Sequence, residues 1–276
     1  VDNVLLMGCQ PEVTQALSDL FGDQVSLQTE ISGKNLNSFK MIVIQDDGDR
    51  DDVLNRIRRL RYALKFRNVP LVLIKSRLDH TPSHQYIMAG ATEVLSLADP
   101  PAACRQILKS HLIPSRQPLD QEKEYLTPFI RNTPHVLKTM AAVEAEFREL
   151  YFSNDLRIFG DISGIIGLSG KAEGTVVITF CWVLARTIIA KMMQVDEEGV
   201  NVELIHDGVG ELVNIISGAT KKDFVGKPYH FELSLPTVVV GSGHQIGHPD
   251  DATIAVLIFD VGSDSFALQV CLKPRK

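Results

Sequence analysis

Between His206 and Phe224 the chain reads HDGVGELVNIISGATKKDF, and two of its residues are of types that could do chemistry side by side. Glu211 carries an ionisable carboxylate. Asn214 carries a carboxamide that both donates and accepts hydrogen bonds. Three positions apart, they project together if the stretch is helical, and Gly218, next on that stripe, leaves bare backbone. Such a surface could be pressed into a concave site on another molecule. The same residues could equally form an ordinary solvated helix face. The spacing recurs at Glu198 and Asn201, around Gly199, so the pair alone assigns nothing.

The element that must position them is a helix. At 3.6 residues per turn, Ile205, Val209, Leu212, Val213, Ile216 and Ala219 fall on one side and can face a core. Asp207, Glu211, Asn214, Gly218, Lys221 and Lys222 fall on the other, with Ile215 at the border. Asp207 lies near the start and the two lysines near the end, the arrangement that the helix dipole favours.

The chain has 276 residues, 45% of them apolar, and a net charge of −6, enough for two domains with sizeable cores. The acidic balance does not favour nucleic acid as a partner. No apolar run approaches the ~20 residues of a membrane span, and no signal peptide is expected. Cys9, Cys104, Cys181 and Cys271 are scattered, with no C-x-x-C pair. That argues against a zinc site or a disulfide framework and suits a reducing cytoplasm.

Residues 1–113 alternate short apolar runs with amphipathic ones. Strands are expected at Val4–Met7, Val25–Gln28, Met41–Ile44, Leu71–Ile74 and Val94–Leu97. Helices are expected at Pro11–Phe21, Asp51–Phe66, Pro82–Ala89 and Pro100–Leu112. Five strands alternating with helices predict an α/β domain, a doubly wound parallel sheet. The polar run IPSRQPLDQE gives a linker over 114–121.

Residues 122–276 form a second domain. A helix is expected from Gln121 to about Glu149, kinked or split by Pro128 and Pro134. Strands are expected at Arg157–Phe159, Ser163–Leu168 and Thr175–Phe180, then a helix at Trp182–Met193 and the Glu211 helix. Further strands are expected at Tyr229–Leu235, Thr237–Val240, Thr253–Phe259 and Phe266–Leu272, with a hairpin turn at Gly262–Asp264. Helices and strands are segregated, which predicts an α+β domain.

GELVNIISGATKK, preceded by GDISGIIGLSGKAEGTVVITF and followed by LSLPTVVVGSGH, resembles the CheX-type chemotaxis phosphatases of the CheC/CheX/FliY superfamily. The likeness runs from about Glu122 to the C-terminus and rests on three separated blocks in the same order. It implies helices on an antiparallel sheet and a homodimer paired through sheet edges. In the related CheC proteins a second Glu–Asn pair lies on an earlier helix. Here that region, TPFIRNTPHVL, has Asn132 but Phe129 three residues before it, so the site is expected to be single.

The first domain resembles the flavodoxin-like receiver of response regulators, particularly in VPLVLIKS and GATEVLSLADPP. A working receiver needs a phosphoacceptor aspartate at the end of its third strand and acidic residues after its first to hold Mg²⁺. Gln45 stands at the acceptor position, with Asp46 as the alternative if the register slips by one. Gly8 and Cys9 replace the acidic pair, Lys75 and Ser76 follow the fourth strand, and Leu97 and Ala98 replace the usual lysine–proline. The expectation is a degenerate pseudo-receiver with no phosphoacceptor and no metal.

The CheX likeness implies a protein substrate, a phosphorylated CheY-type response regulator, with Glu211 and Asn214 catalytic. Gly218, Ile215, Lys221 and Lys222 would take part in docking. No cofactor of its own is implied, since the partner receiver brings the Mg²⁺. The alternative is a non-catalytic scaffold or sensor that binds a receiver without hydrolysing it.

Other motifs are declined. Gly241, Gly243 and Gly247 have the wrong spacing for a dinucleotide loop, and Gly170-Lys171 lacks the hydroxyl residue of a phosphate loop. His244, His248, Asp250 and Asp251 read as solvated residues of a Gly/Pro-rich loop. Ser163, Ser169 and Ser217 have no neighbouring His and Asp that sequence could place as a triad.

Overall fold

The computed structural model describes residues 2–22, 25–29, 39–46, 49–64, 69–75, 82–111, 118–153, 160–241, 244, 246 and 253–275. The chain divides into two compact units, Val1–Pro114 and Ser115–Lys276.

In the first unit the order is β1 (Asp2–Met7), α1 (Pro11–Phe21), β2 (Val25–Gln28), β3 (Met41–Gln45), α2 (Arg50–Leu64), β4 (Leu71–Lys75), α3 (Ser83–Ala89), β5 (Glu93–Ser96) and α4 (Pro101–His111). The strands pair in parallel in the order β2-β1-β3-β4-β5, a flavodoxin-like sheet. Its strands read as continuous apolar runs because both faces are covered. Leu5, Ile42, Ile44, Leu71 and Leu73 pack against α2 and α3, while Val4, Leu6, Val43, Val72 and Ile74 pack against α1 and α4. Pro11 is the first residue of α1, where its missing N–H costs nothing. Pro82 caps α3 from just outside.

In the second unit, α5 (Asp120–Ala141) is followed by β6 (Glu146–Ser153), β7 (Ile162–Gly170), β8 (Ala172–Phe180), α6 (Trp182–Met193) and α7 (Val202–Lys221). Then come β9 (Phe231–Leu233), β10 (Thr237–Val240), β11 (Ile254–Val261) and β12 (Asp264–Pro274). The sheet is antiparallel, β10-β7-β8-β12-β11-β6, and β9 continues along the far end of β7. The three helices share one core with the sheet, so the unit is α+β.

One expectation for α5 fails. It is one continuous helix with Pro128 and Pro134 inside it, but it stops at Ala141 rather than running to about Glu149. There Ala142 turns left-handed, and its N–H bonds Lys138 O at 3.1 Å. The helix-forming composition of Glu146–Glu149 suggested continuation, but these residues pair with β11 as an edge strand. Cross-strand pairing outweighs intrinsic preference here, with Phe147 stacked edge-on against Phe259. The expected strand Arg157–Phe159 lies outside the described residues.

The Glu211 helix begins at Val202, four residues before His206. Asn201 caps it, its side-chain oxygen accepting from Leu204 N at 2.9 Å. The second Glu–Asn spacing is therefore a helix start. Ile205, Val209, Leu212, Val213 and Ile216 are fully buried, as the helical period requires. The helix lies close on β7: a Cβ at Gly164 would sit 2.7 Å from Val209 O.

Candidate functional site

Burying one stripe of α7 leaves the opposite stripe outward. Glu211 is exposed, and Asn214, Ile215 and Gly218 are half-buried at the margin. Among the described residues neither the Glu211 nor the Asn214 side chain has a hydrogen-bond or ion-pair partner. A carboxylate and a carboxamide thus stand one helical turn apart on a fixed backbone, with unused hydrogen-bonding capacity. Gly218 is not held by its own surroundings, since a Cβ there would meet only Leu233 Cδ1, at 3.9 Å.

The lysines divide. Lys221 is ion-paired with Glu232 of β9, which holds the Glu232 carboxyl below its ordinary range. Lys222 opens a short 3-10 turn, Lys222–Phe224, and is exposed.

On α5, Phe129 is fully buried against Phe224. Asn132 donates to Asp223 Oδ2 at 2.8 Å, and Arg131 donates to Asp223 Oδ1 at 2.6 Å. The Asn132 hydrogen bond, followed by the Arg131 charge, lowers the Asp223 pKa. Asn132 is spent on joining α5 to the end of α7.

Sequence reasoning missed one cluster. His244 is half-buried rather than solvated: its Nε2 lies 2.7 Å from Ser163 Oγ, which also meets Thr179 Oγ1. His244 Nδ1 donates to Gly241 O, so Nε2 accepts from the Ser163 hydroxyl. Ser163 and Thr179 are wholly buried, so this chain of bonds ties His244 to β7 rather than presenting a nucleophile. The separation of 81 positions between His244 and Ser163 hid it from sequence. His248, Asp250 and Asp251 lie outside the described residues. Among the described residues no group of His, Cys, Asp and Glu is placed to hold a metal ion, and no helix is long and apolar enough to cross a membrane.

In the first unit, Gln45 ends β3 and is buried, its Oε1 accepting from Gln10 N at 2.7 Å at the head of α1. Asp46 follows it, also buried, with its N–H bonded to Ile74 O. Burial pushes the Cys9 thiol up to about 11. Asp47 and Ser76 lie outside the described residues.

A family model for the chemotaxis phosphatase CheX matches residues 162–260. Among solved structures, the chemotaxis protein CheX from Vibrio vulnificus is 32% identical, over 54% of this chain and 99% of its own, with a TM-score of 0.50. A CheC-like superfamily protein from Shewanella sp. PV-4 is also 32% identical, over 54% of this chain and 97% of its own, with a TM-score of 0.50. A CheX from Desulfovibrio desulfuricans is 26% identical over 54% and 99%, with the same TM-score. No curated protein sequence matches the chain. Two relatives matched at that identity over nearly their whole length, and a family match spanning α7, lead to one conclusion: the chain belongs to the CheX family of chemotaxis phosphatases.

Proposed function

We propose that this chain hydrolyses the aspartyl phosphate of a CheY-type response regulator. The observation that carries the reading is the pair on α7: Glu211 exposed and Asn214 half-buried beside it, neither with a side-chain partner among the described residues. A phosphorylated receiver brings its own Mg²⁺ and lysine, which supply most of the charge stabilisation. What remains is to place a water in line with phosphorus. Water forms the new P–O bond, the bond to the aspartyl oxygen breaks, and free carboxylate and dihydrogen phosphate result.

The Asn214 carboxamide can hold that water without adding negative charge beside the phosphoryl oxygens. Glu211 pairs with the receiver's lysine and sets the register of docking. Gly218 supports the same reading, because the fold leaves room for a methyl there while a partner's approach would not. Ile215 and Lys222 border the contact. Lys221 contributes through its pair with Glu232 rather than as a free cation.

The first unit acts in this reading as a pseudo-receiver that neither holds Mg²⁺ nor accepts a phosphoryl group. The occupied Gln45 side chain and the absence of acidic residues at Gly8 and Cys9 support that. The β6 edge of the antiparallel sheet offers unpaired backbone groups through which a homodimer would form.

A non-catalytic, receiver-binding scaffold or sensor is the second reading, favoured by the loss of the acidic pair at Gly8 and Cys9 in the first unit. Loss of labelled phosphoryl from CheY-type receivers, followed with and without this chain, separates the two. The phosphatase accelerates the loss, whereas a scaffold binds and leaves the rate unchanged.

A further inference from the structure

Opposite Asn214 the edge strand of the sheet is interrupted. Thr237 of β10 pairs with Ile165, and Leu233 of β9 pairs with Leu168. Two residues of β7, Ile166 and Gly167, therefore face three on the partner, Ser234, Leu235 and Pro236. This is a β-bulge with one extra residue, a feature that re-aims side chains and is enriched at sheet edges beside functional sites.

The bulge is held firmly. Ser234 N donates to Gly167 O at 2.9 Å, and Gly167 N donates to Ser234 Oγ at 2.9 Å. The same hydroxyl donates to Leu235 O at 2.8 Å. Pro236 further restricts the backbone of the residue before it. The outcome is a leucine fixed in place yet 88% exposed.

Its position relative to α7 follows from the helix. Gly210, Asn214, Gly218 and Lys221 share a stripe at four- and three-residue spacing. A Cβ at Gly210 would meet Val238 and Pro236, a Cβ at Gly218 would meet Leu233, and Lys221 pairs with Glu232. The strand thus runs antiparallel to the stripe, from Val238 to Glu232, and the bulge falls at the level of Asn214. A bulge and a proline already blunt the edge against pairing, a role that a charged residue would serve better than leucine.

We propose that Leu235 is the apolar anchor of the docking surface, seating on the partner receiver beside its phosphoaspartate while Glu211 and Asn214 enter the site. This rests on the phosphatase reading and adds a residue that governs affinity rather than chemistry. Its backbone is already immobile, so docking costs little additional conformational entropy.

The test uses the full chain and a CheY-type receiver in two forms: phosphorylated, for turnover, and beryllofluoride-loaded, for equilibrium binding. Leu235→Asp is expected to raise KM and Kd roughly tenfold or more, as for a truncated interface anchor. kcat should stay within about twofold, and the melting curve should not move. Unchanged KM and Kd overturn the anchor and leave the phosphatase standing. So does an effect confined to self-association in sedimentation, which would assign Leu235 to a contact between copies. Failure of the wild-type chain both to bind and to turn over any CheY-type receiver overturns the two together.

Discussion

Asn214 and Glu211 differ in what their loss should cost. On the proposed mechanism, in which Asn214 holds the attacking water, Asn214→Ala should lower kcat about 100-fold or more with binding nearly intact. On the same mechanism, in which Glu211 sets the docking register, Glu211→Ala should show chiefly as a raised KM. Single-turnover decay of a phosphorylated receiver across a concentration series separates the two. An unchanged rate in Asn214→Ala would remove that residue from the mechanism. Gly218→Ala is the complementary case. A helix-interior glycine costs roughly 0.5–1 kcal/mol relative to alanine, and the methyl meets nothing closer than 3.9 Å. The substitution should raise thermal stability slightly while raising KM, a combination that a purely structural glycine would not give.

Two contacts at the scale of elements keep α7 in place. Gly164 lets the helix lie against β7, and its Cβ would meet the backbone oxygen of Val209, which cannot rotate away. Gly164→Ala should therefore destabilise by about 1–3 kcal/mol, read as a lowered Tm, and should depress turnover through displacement of Asn214. At the other end, Asp223 ties α7 to α5 through Asn132 and Arg131. Its carboxyl lies below the ordinary 3.8. A depressed carboxyl contributes stability that is present above its unfolded value and lost as pH falls through the lower folded one. The group is part-exposed, so the effect is modest. Asp223→Asn should flatten the acid limb of a Tm-against-pH curve below about pH 4, and an unaltered slope would show that the tie carries no pH dependence. Elements with strong periodicity, α1, α6 and the strands of the parallel sheet, were legible from residues alone. The edge strand β6 was not, because Glu146–Glu149 suits a helix equally well and only β11 decides between the two.

The whole molecule joins a receiver-like unit to a CheX-family unit, and the two carry opposite marks of function. The CheX unit leaves its Glu–Asn pair without a partner among the described residues, while the receiver-like unit ties Gln45 back onto α1. Acetyl phosphate with Mg²⁺ should therefore leave the full chain unmodified in intact-mass measurement, since no carboxylate pair stands at Gly8 and Cys9 to hold the cation. A stoichiometric adduct on Asp46 would show instead that the acceptor lies one residue further along. The pair on α7 was legible as a helical stripe, but its accessibility was not.

By itself the sequence determined the two fold classes, the inward face of α7 and the adjacency of Glu211 to Asn214. Each of these follows from spacing along one element. The tertiary structure alone decided that Lys221 is taken by Glu232, that Asn132 serves Asp223, that His244 reaches Ser163, and that Leu235 stands exposed between β9 and β10. Those are relations between segments 11 to 91 residues apart. Periodicity within one segment carries no record of which other segment will pack against it.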